Sequence, residues 1–276
     1  MKRLLALAAA LVLTVCAAPP PAAAQSSDEQ TEIQIGQQEY QQLAQQGVLL
    51  QSSPYYAILN PIAKQIKTVA DQKYFRPFTF ILVHDKAPNA FSVPGGNVYV
   101  TDTLMQFVEN REELAGVLCH ETAHDIHHDV LNLYKKQQRT ATGYTIGAIL
   151  ANVLTGGKAQ NAIGEVANIG FTLQSQGFSR DVERRADLTG SDLCASVGSN
   201  PYGMVWLFER FSKEQTGGTM EALSDHPSDQ HRIADLETHF RSNPALFNKF
   251  NPNIASATPL SAGQRAQAKT TYRTSR

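Results

Sequence analysis

Apolar residues recur along this chain at two spacings, and the change from one to the other marks its elements. Between Pro54 and Ala70 the side chains Tyr55, Ile58, Leu59, Ile62, Ile66 and Val69 fall three or four apart, which puts them on one face of a helix. A weaker pattern of the same kind, Ile33, Ile35, Tyr40 and Leu43 within a Gln- and Glu-rich stretch, predicts a surface helix over about 26–46. The pattern then tightens. Phe78 to Val83 and Asn97 to Thr101 are short, β-branched and aromatic runs, and Pro94-Gly95-Gly96 between them marks a turn, so two or three short strands are expected. Asn110 followed by Glu113 reads as a capping box, and Leu114, Val117, Leu118, Val130 and Tyr134 continue as the stripe of one long amphipathic helix. Ser179 is placed to cap a further helix. The expected class is therefore α+β, predominantly helical, with a small β-sheet before the long helix.

Two stretches depart from these patterns. From about Thr140 to Gly177 the chain is rich in Gly, Ala and apolar residues with almost no charge, and its longest apolar piece, around Ile146 to Leu154, is too short to span a bilayer. A packed helical hairpin, a mobile flap, or a surface for membrane or unfolded polypeptide all fit it. Past Pro244 the composition turns polar, so 246–276 is expected to be a flexible tail.

Met-Lys-Arg, an apolar run from Leu4 to Ala18 and the small residues Ala22-Ala23-Ala24 form the pattern of a cleaved signal peptide over 1–24, which implies a periplasmic or secreted protein. Lipidation at Cys16 is the alternative, against which the bulk of Val15 counts. Loss of Lys2 and Arg3 takes the formal charge from -1 to about -3, close to balance, which gives no reason to expect a nucleic-acid partner. The 276 residues contain 3 cysteines; Cys119 and Cys194 remain after cleavage, and pairing and burial as thiols are both open.

The chemistry concentrates in His120-Glu121-Thr122-Ala123-His124. On a helix, residues four apart share a face, so both imidazoles can reach one zinc ion while Glu121 lies beside them as general base. A catalytic zinc needs a third protein ligand. His128 lies roughly 12 Å of rise from His120 on a continuous helix, too far to share the ion. The extended H-E-x-x-H-x-x-G-x-x-H pattern fails as well, because position 127 is His and position 130 is Val. Glu183 and Asp187, four apart on the helix after Ser179, supply a ligand and an acid able to accept the outer N–H of a zinc histidine. Asp225-His226-Pro227 adds a histidine that can either stabilise an oxyanion or fill the fourth zinc position.

Taken together, Asn89-Ala90-Phe91 with Pro94-Gly95-Gly96, the segment Glu113 to His124, Ser179-Arg180 through Glu183 to Asp187, and His226-Pro227 with Arg232-Ile233 resemble one family. It is the gluzincin family of HtpX-like heat-shock proteases, Ste-type CAAX endopeptidases, Oma-type and BepA-like proteases. The resemblance implies a domain over about 25–245, His120, His124 and Glu183 as ligands of one zinc ion, Glu121 and His226 as catalytic groups, and Asp187 behind the ligands. It also implies that Asn89, Ala90 and Phe91 form an edge pairing with an extended peptide. Thr122, Asp225 and Cys119 replace commoner residues without removing a ligand. With no membrane-spanning helices or helical-repeat domain expected, it implies a stand-alone envelope protease acting on misfolded or outer-membrane polypeptides, with peripheral membrane contact open. A zinc-containing, chaperone-like binding protein with little or no proteolysis is the alternative.

Overall fold

The computed structural model describes residues 26–140, 177–215 and 230–260. The leader with Cys16, nearly all of the apolar stretch after Thr140, Asp225-His226-Pro227 and positions 261–276 lie outside the described residues. Helices α1 (Ser27–Gln45) and α2 (Tyr56–Ala70) come first, then strands β1 (Thr79–Val83), β2 (Ala90–Val93) and β3 (Asn97–Thr101). Helices α3 (Asp102–Phe107), α4 (Arg111–Ile126), α5 (Asp129–Thr140), α6 (Arg180–Ser196), α7 (Tyr202–Gln215), α8 (Gln230–Ser242) and α9 (Pro244–Phe247) follow. This is the expected mostly helical α+β architecture. No helix among the described residues is long and apolar enough to cross a membrane.

The sheet has the order β1-β3-β2, with β1 parallel and β2 antiparallel to β3. Gly95 and Gly96 turn the β2–β3 hairpin with φ of 96° and 84°, a left-handed geometry that side chains resist. Strand alternation divides the interior between two clusters. Phe80, Leu82, Ala90, Val98 and Val100 face the larger one, with α2, α4, α6 and α7, while Phe91, Val93 and Tyr99 face a smaller one built with Ile35 and Leu43 of α1 and Val130, Leu131 and Tyr134 of α5. Residues 48–50 cover the outer edge of β1 through Leu50 N–H to Leu82 (2.9 Å) and His84 N–H to Val48 (2.8 Å). At Gly36, α1 lies so close to the hairpin that any Cβ would strike the Pro94 carbonyl oxygen.

Helix α4 runs through the middle, and every residue from Glu113 to Asp125 is buried. Its start differs from the expected capping box. The Asn110 side chain accepts from Glu113 N–H (2.8 Å), but the Glu113 carboxylate turns to Glu109 N–H (2.8 Å) and to Arg210 of α7. Burial raises the Glu113 pKa despite both partners. Ser179 holds the extended N-cap backbone of α6 without a side-chain capping bond.

The single long helix expected beyond His124 is instead two. α4 ends at Ile126, His128 takes φ 55°, and α5 leaves in a new direction. A left-handed backbone costs a side-chain-bearing residue about 1–2 kcal/mol. Tertiary contacts offset it here, because Nδ1 of His128 meets the buried Glu32 carboxylate of α1 at 2.9 Å and its ring lies 5.5 Å from that of Tyr74.

Residues 246–260, read from composition as part of a loose tail, are packed. Phe247 and Leu260 are core residues, and the chain returns along the start of α4 through Arg111 N–H to Thr258 (3.0 Å) and Leu260 N–H to Glu109 (3.2 Å). Two apolar anchors and a backbone bridge hold what composition marks as solvent-facing.

Cys119 of α4 and Cys194 of α6 form a disulfide, with their Cα atoms 6.0 Å apart and a sequence separation of 75. A crosslink closing so long a loop removes much of the unfolded chain's freedom, so the Cys119→Ala/Cys194→Ala variant should lose about 2–4 kcal/mol in urea unfolding. The His128–Glu32 contact predicts a pH signature. The hydrogen bond from Glu32 raises the His128 pKa against the opposing effect of partial burial. Its contribution to stability is therefore complete below about pH 6.5 and lost as pH rises through the raised folded value. His128→Asn tolerates the same backbone, so its melting temperature should fall furthest below the parent's near pH 6 and approach it near pH 9; a pH-independent gap would contradict this.

Candidate metal and catalytic centre

Helical spacing brings His120 and His124 to one face of α4, and α6 lays Glu183 and Asp187 against that face. Gly190, seven residues after Glu183, makes the approach possible: a Cβ there would lie 3.0 Å from the backbone of His120. The resulting group is tight. Ligand-capable atoms of His120, His124 and Glu183 all lie within 4.8 Å of one another, and all three residues are buried.

Each histidine is fixed from behind. Nδ1 of His120 is 3.0 Å from Asp187, and Nδ1 of His124 is 2.9 Å from Asp129. Ionised carboxylates only accept, so both Nδ1 atoms carry the hydrogen and, in the neutral rings, both Nε2 atoms present lone pairs. Those Nε2 atoms stand 3.1 Å apart, with Glu183 oxygens 3.4 Å from one and 3.7 Å from the other. Three acceptors converge on one point. The arrangement demands a cation or a proton between them, and two imidazoles with a carboxylate are a donor set that suits zinc. Burial lowers the His120 pKa, but Asp187 and Glu183 outweigh it and push it up to about 10, the response of a site that attracts positive charge.

The carboxylates have their own support. Arg232 of α8 is buried, with its guanidinium 2.7 and 2.6 Å from the two oxygens of Asp187, 3.0 Å from Glu183, and 4.4 Å over the Phe208 ring. Burial raises the Asp187 pKa, yet Arg232 and His120 bring it below the ordinary value. Asp129 binds Arg185 of α6 through its other oxygen, though burial still leaves its pKa raised. Phe178 stacks on the His124 ring at 4.5 Å.

Glu121 projects from the same helix toward the sheet, where Ser92 N–H of β2 donates to its carboxylate at 3.1 Å. β2 pairs with β3 alone among the named strands. The side chains of Ala90 and Phe91 are committed to the two clusters, and Asn89 is tied to Thr101 while its own side chain accepts from Ala90 N–H (2.9 Å). His226 lies outside the described residues. His127 and His128 point elsewhere, to Thr189 (2.7 Å) and Glu32.

Sequence reasoning gathered His120, Glu121, His124, Glu183 and Asp187 and quoted Arg232 without a role, but it missed Asp129, Arg185 and Ser92. Arg232 had a signal in the need of two buried acids for a cation. Asp129 had none while α4 was read as continuous.

The region that carries these groups is similar to known proteins. A model of peptidase family M48 matches residues 57–239. The β-barrel assembly-enhancing protease of Escherichia coli K12 is 26% identical over 208 residues, covering 74% of this chain and 42% of that protein. Its counterpart in Yersinia pestis is 30% identical over 166 residues, covering 58% and 34%. The mitochondrial metalloendopeptidase OMA1 of Schizosaccharomyces pombe is 29% identical over 162 residues, covering 56% and 44%. The chain thus spans less than half the length of these relatives. The family match nevertheless takes in α4, α6 and the sheet that reaches Glu121, and on that breadth the chain belongs to peptidase family M48.

Proposed function

We propose that this chain is a zinc-dependent metalloendopeptidase in which His120, His124 and Glu183 hold one zinc ion and Glu121 is the general base. The observation that carries the reading is the convergence of ligand-capable atoms of three buried residues within 4.8 Å of one another, beside a carboxylate whose orientation is set by the Ser92 amide. When bound, zinc polarises the scissile carbonyl and makes its water acidic enough to be deprotonated near neutral pH. Glu121 takes that proton and passes it to the departing amine. Asp187 and Asp129 keep both imidazoles in the tautomer that presents Nε2. Arg232 holds Glu183 and Asp187 in place and keeps Asp187 ionised.

The substrate in this reading is an extended polypeptide pairing its backbone with the edge from Asn89 to Phe91, so the Asn89 side chain must yield the Ala90 amide, while the Ser92 amide stays with Glu121. His226 takes the oxyanion role that the sequence resemblance implies. The names of the bacterial relatives support a setting in outer-membrane or misfolded protein quality control, and the leader pattern supports a periplasmic or secreted location.

Glu121→Gln should keep the fold and bind zinc in equal proportion while cleavage of an unfolded polypeptide falls by at least about 10²–10⁴-fold. Undiminished turnover would remove Glu121 as base. If zinc-loaded protein cleaves nothing yet suppresses aggregation equally with and without that substitution, the chain is a binding protein. Chelation should abolish cleavage and lower the melting temperature. A site filled at a thousand times its dissociation constant contributes about 4 kcal/mol, which Glu183→Ala should largely forfeit.

A further inference from the structure

The break between α4 and α5 has a chemical result. On an uninterrupted helix, residue 129 would lie about 7.5 Å along the axis from residue 124 and about 140° around it, pointing away from the His124 ring. The structure instead places the Asp129 carboxylate 2.9 Å from Nδ1 of His124. The left-handed backbone at His128 redirects the chain, and Asp129 then begins α5. A side-chain-bearing residue held at positive φ beside a functional group is the kind of local strain that a structure retains for use. Two further contacts hold the arrangement: Glu32 fixes the His128 side chain, and Arg185, reaching over from α6, fixes the second oxygen of Asp129.

We propose that Asp129 is a positioning residue for His124, and that the corner at His128 is the device that delivers it. The two histidines are then supported alike but from different places. His120 leans on Asp187, which is backed by the buried Arg232. His124 leans on Asp129, backed by Arg185, whose side chain is 48% exposed. One half of the centre is thereby locked in the interior, and the other is braced from a solvent-facing arginine across two helices. The inference rests on the metal-binding reading above.

The test measures zinc affinity by competition with a chromophoric chelator, together with the visible spectrum of the cobalt-substituted protein and the melting of the zinc-free protein. Asp129→Ala should weaken zinc about 10–100-fold and alter the cobalt bands, while the zinc-free protein still melts cooperatively. Asp129→Asn keeps an acceptor for Nδ1–H and should recover most of that affinity. Arg185→Ala, at a partly exposed position, should weaken zinc by a smaller factor. The corner has its own pair of variants. His128→Gly adopts positive φ freely and should retain zinc binding, whereas His128→Val disfavours it and should reproduce the loss seen in Asp129→Ala. Affinity and cobalt spectra matching the parent in Asp129→Ala overturn the role of Asp129; should that variant not fold, parental values in Asp129→Leu, which removes the acceptor while filling the space, overturn it instead. Parental affinity in His128→Val overturns the role of the corner. A parent protein that takes up no zinc overturns the metal reading itself, a result distinct from any of these.

Discussion

Two imidazole nitrogens and a carboxylate oxygen brought within 4.8 Å of one another in the interior repel each other unless positive charge stands between them. Much of the surrounding structure serves to hold that unfavourable convergence. The interior withholds the water that would relieve it, so compensation falls to fixed groups: two aspartates that orient the rings, two arginines that anchor the aspartates, and a glycine that lets the second helix come close. This is preorganisation in a concrete form, with the cost of gathering like-natured atoms met by folding before any ion arrives.

The same constraint explains why α4 is buried on every side although it carries five ionisable groups between Glu113 and Asp125. Such a helix is a poor interior element by composition. It survives because Glu113 faces Arg210, His120 and His124 face carboxylates, and Glu121 faces a strand amide. Asp125 is held differently: burial and the neighbouring Glu32 and Glu121 carboxylates raise its pKa well above the ordinary range, while the Gly96 backbone opposes the shift. The disulfide between α4 and α6 joins the two helices that carry His120, His124 and Glu183, so the crosslink and the candidate metal group act on the same helix pair.

Much of this was legible in the sequence, for definite reasons. His120, Glu121 and His124 lie on one helix, where spacing alone fixes their relative placement. Glu183 and Asp187 repeat that logic, and Pro94-Gly95-Gly96 announced its hairpin because few other residues tolerate that turn. The failures share a different cause. The end of α4 is set by a backbone conformation at His128, a residue type that does not ordinarily signal a stop, so Asp129 stayed hidden on the wrong face of an imagined helix. Glu113 was read as a capping partner because its distant partner Arg210 lies 97 residues later. The packing of residues 246–260 depends on the buried Phe247 and Leu260, with Leu246 and Phe250 against the same core, scattered apolar residues whose value appears only when their pockets exist. Local rules reach as far as a turn or two of chain. What lies beyond them is decided by groups that meet only in the folded state.

The position of Arg232 in the chain has a further consequence for biosynthesis. Synthesis proceeds from the N-terminus, so α4 and α6 leave the ribosome well before α8. Until α8 arrives, Glu183 and Asp187 lack the Arg232 cation that faces them in the folded chain, and a nascent chain has reason to keep α6 apart from α4. The centre closes late, once nearly the whole catalytic region is available to close around it. A peptidase of the kind proposed, assembled in this order, would stay inert while its own unfolded segments are the nearest polypeptide at hand.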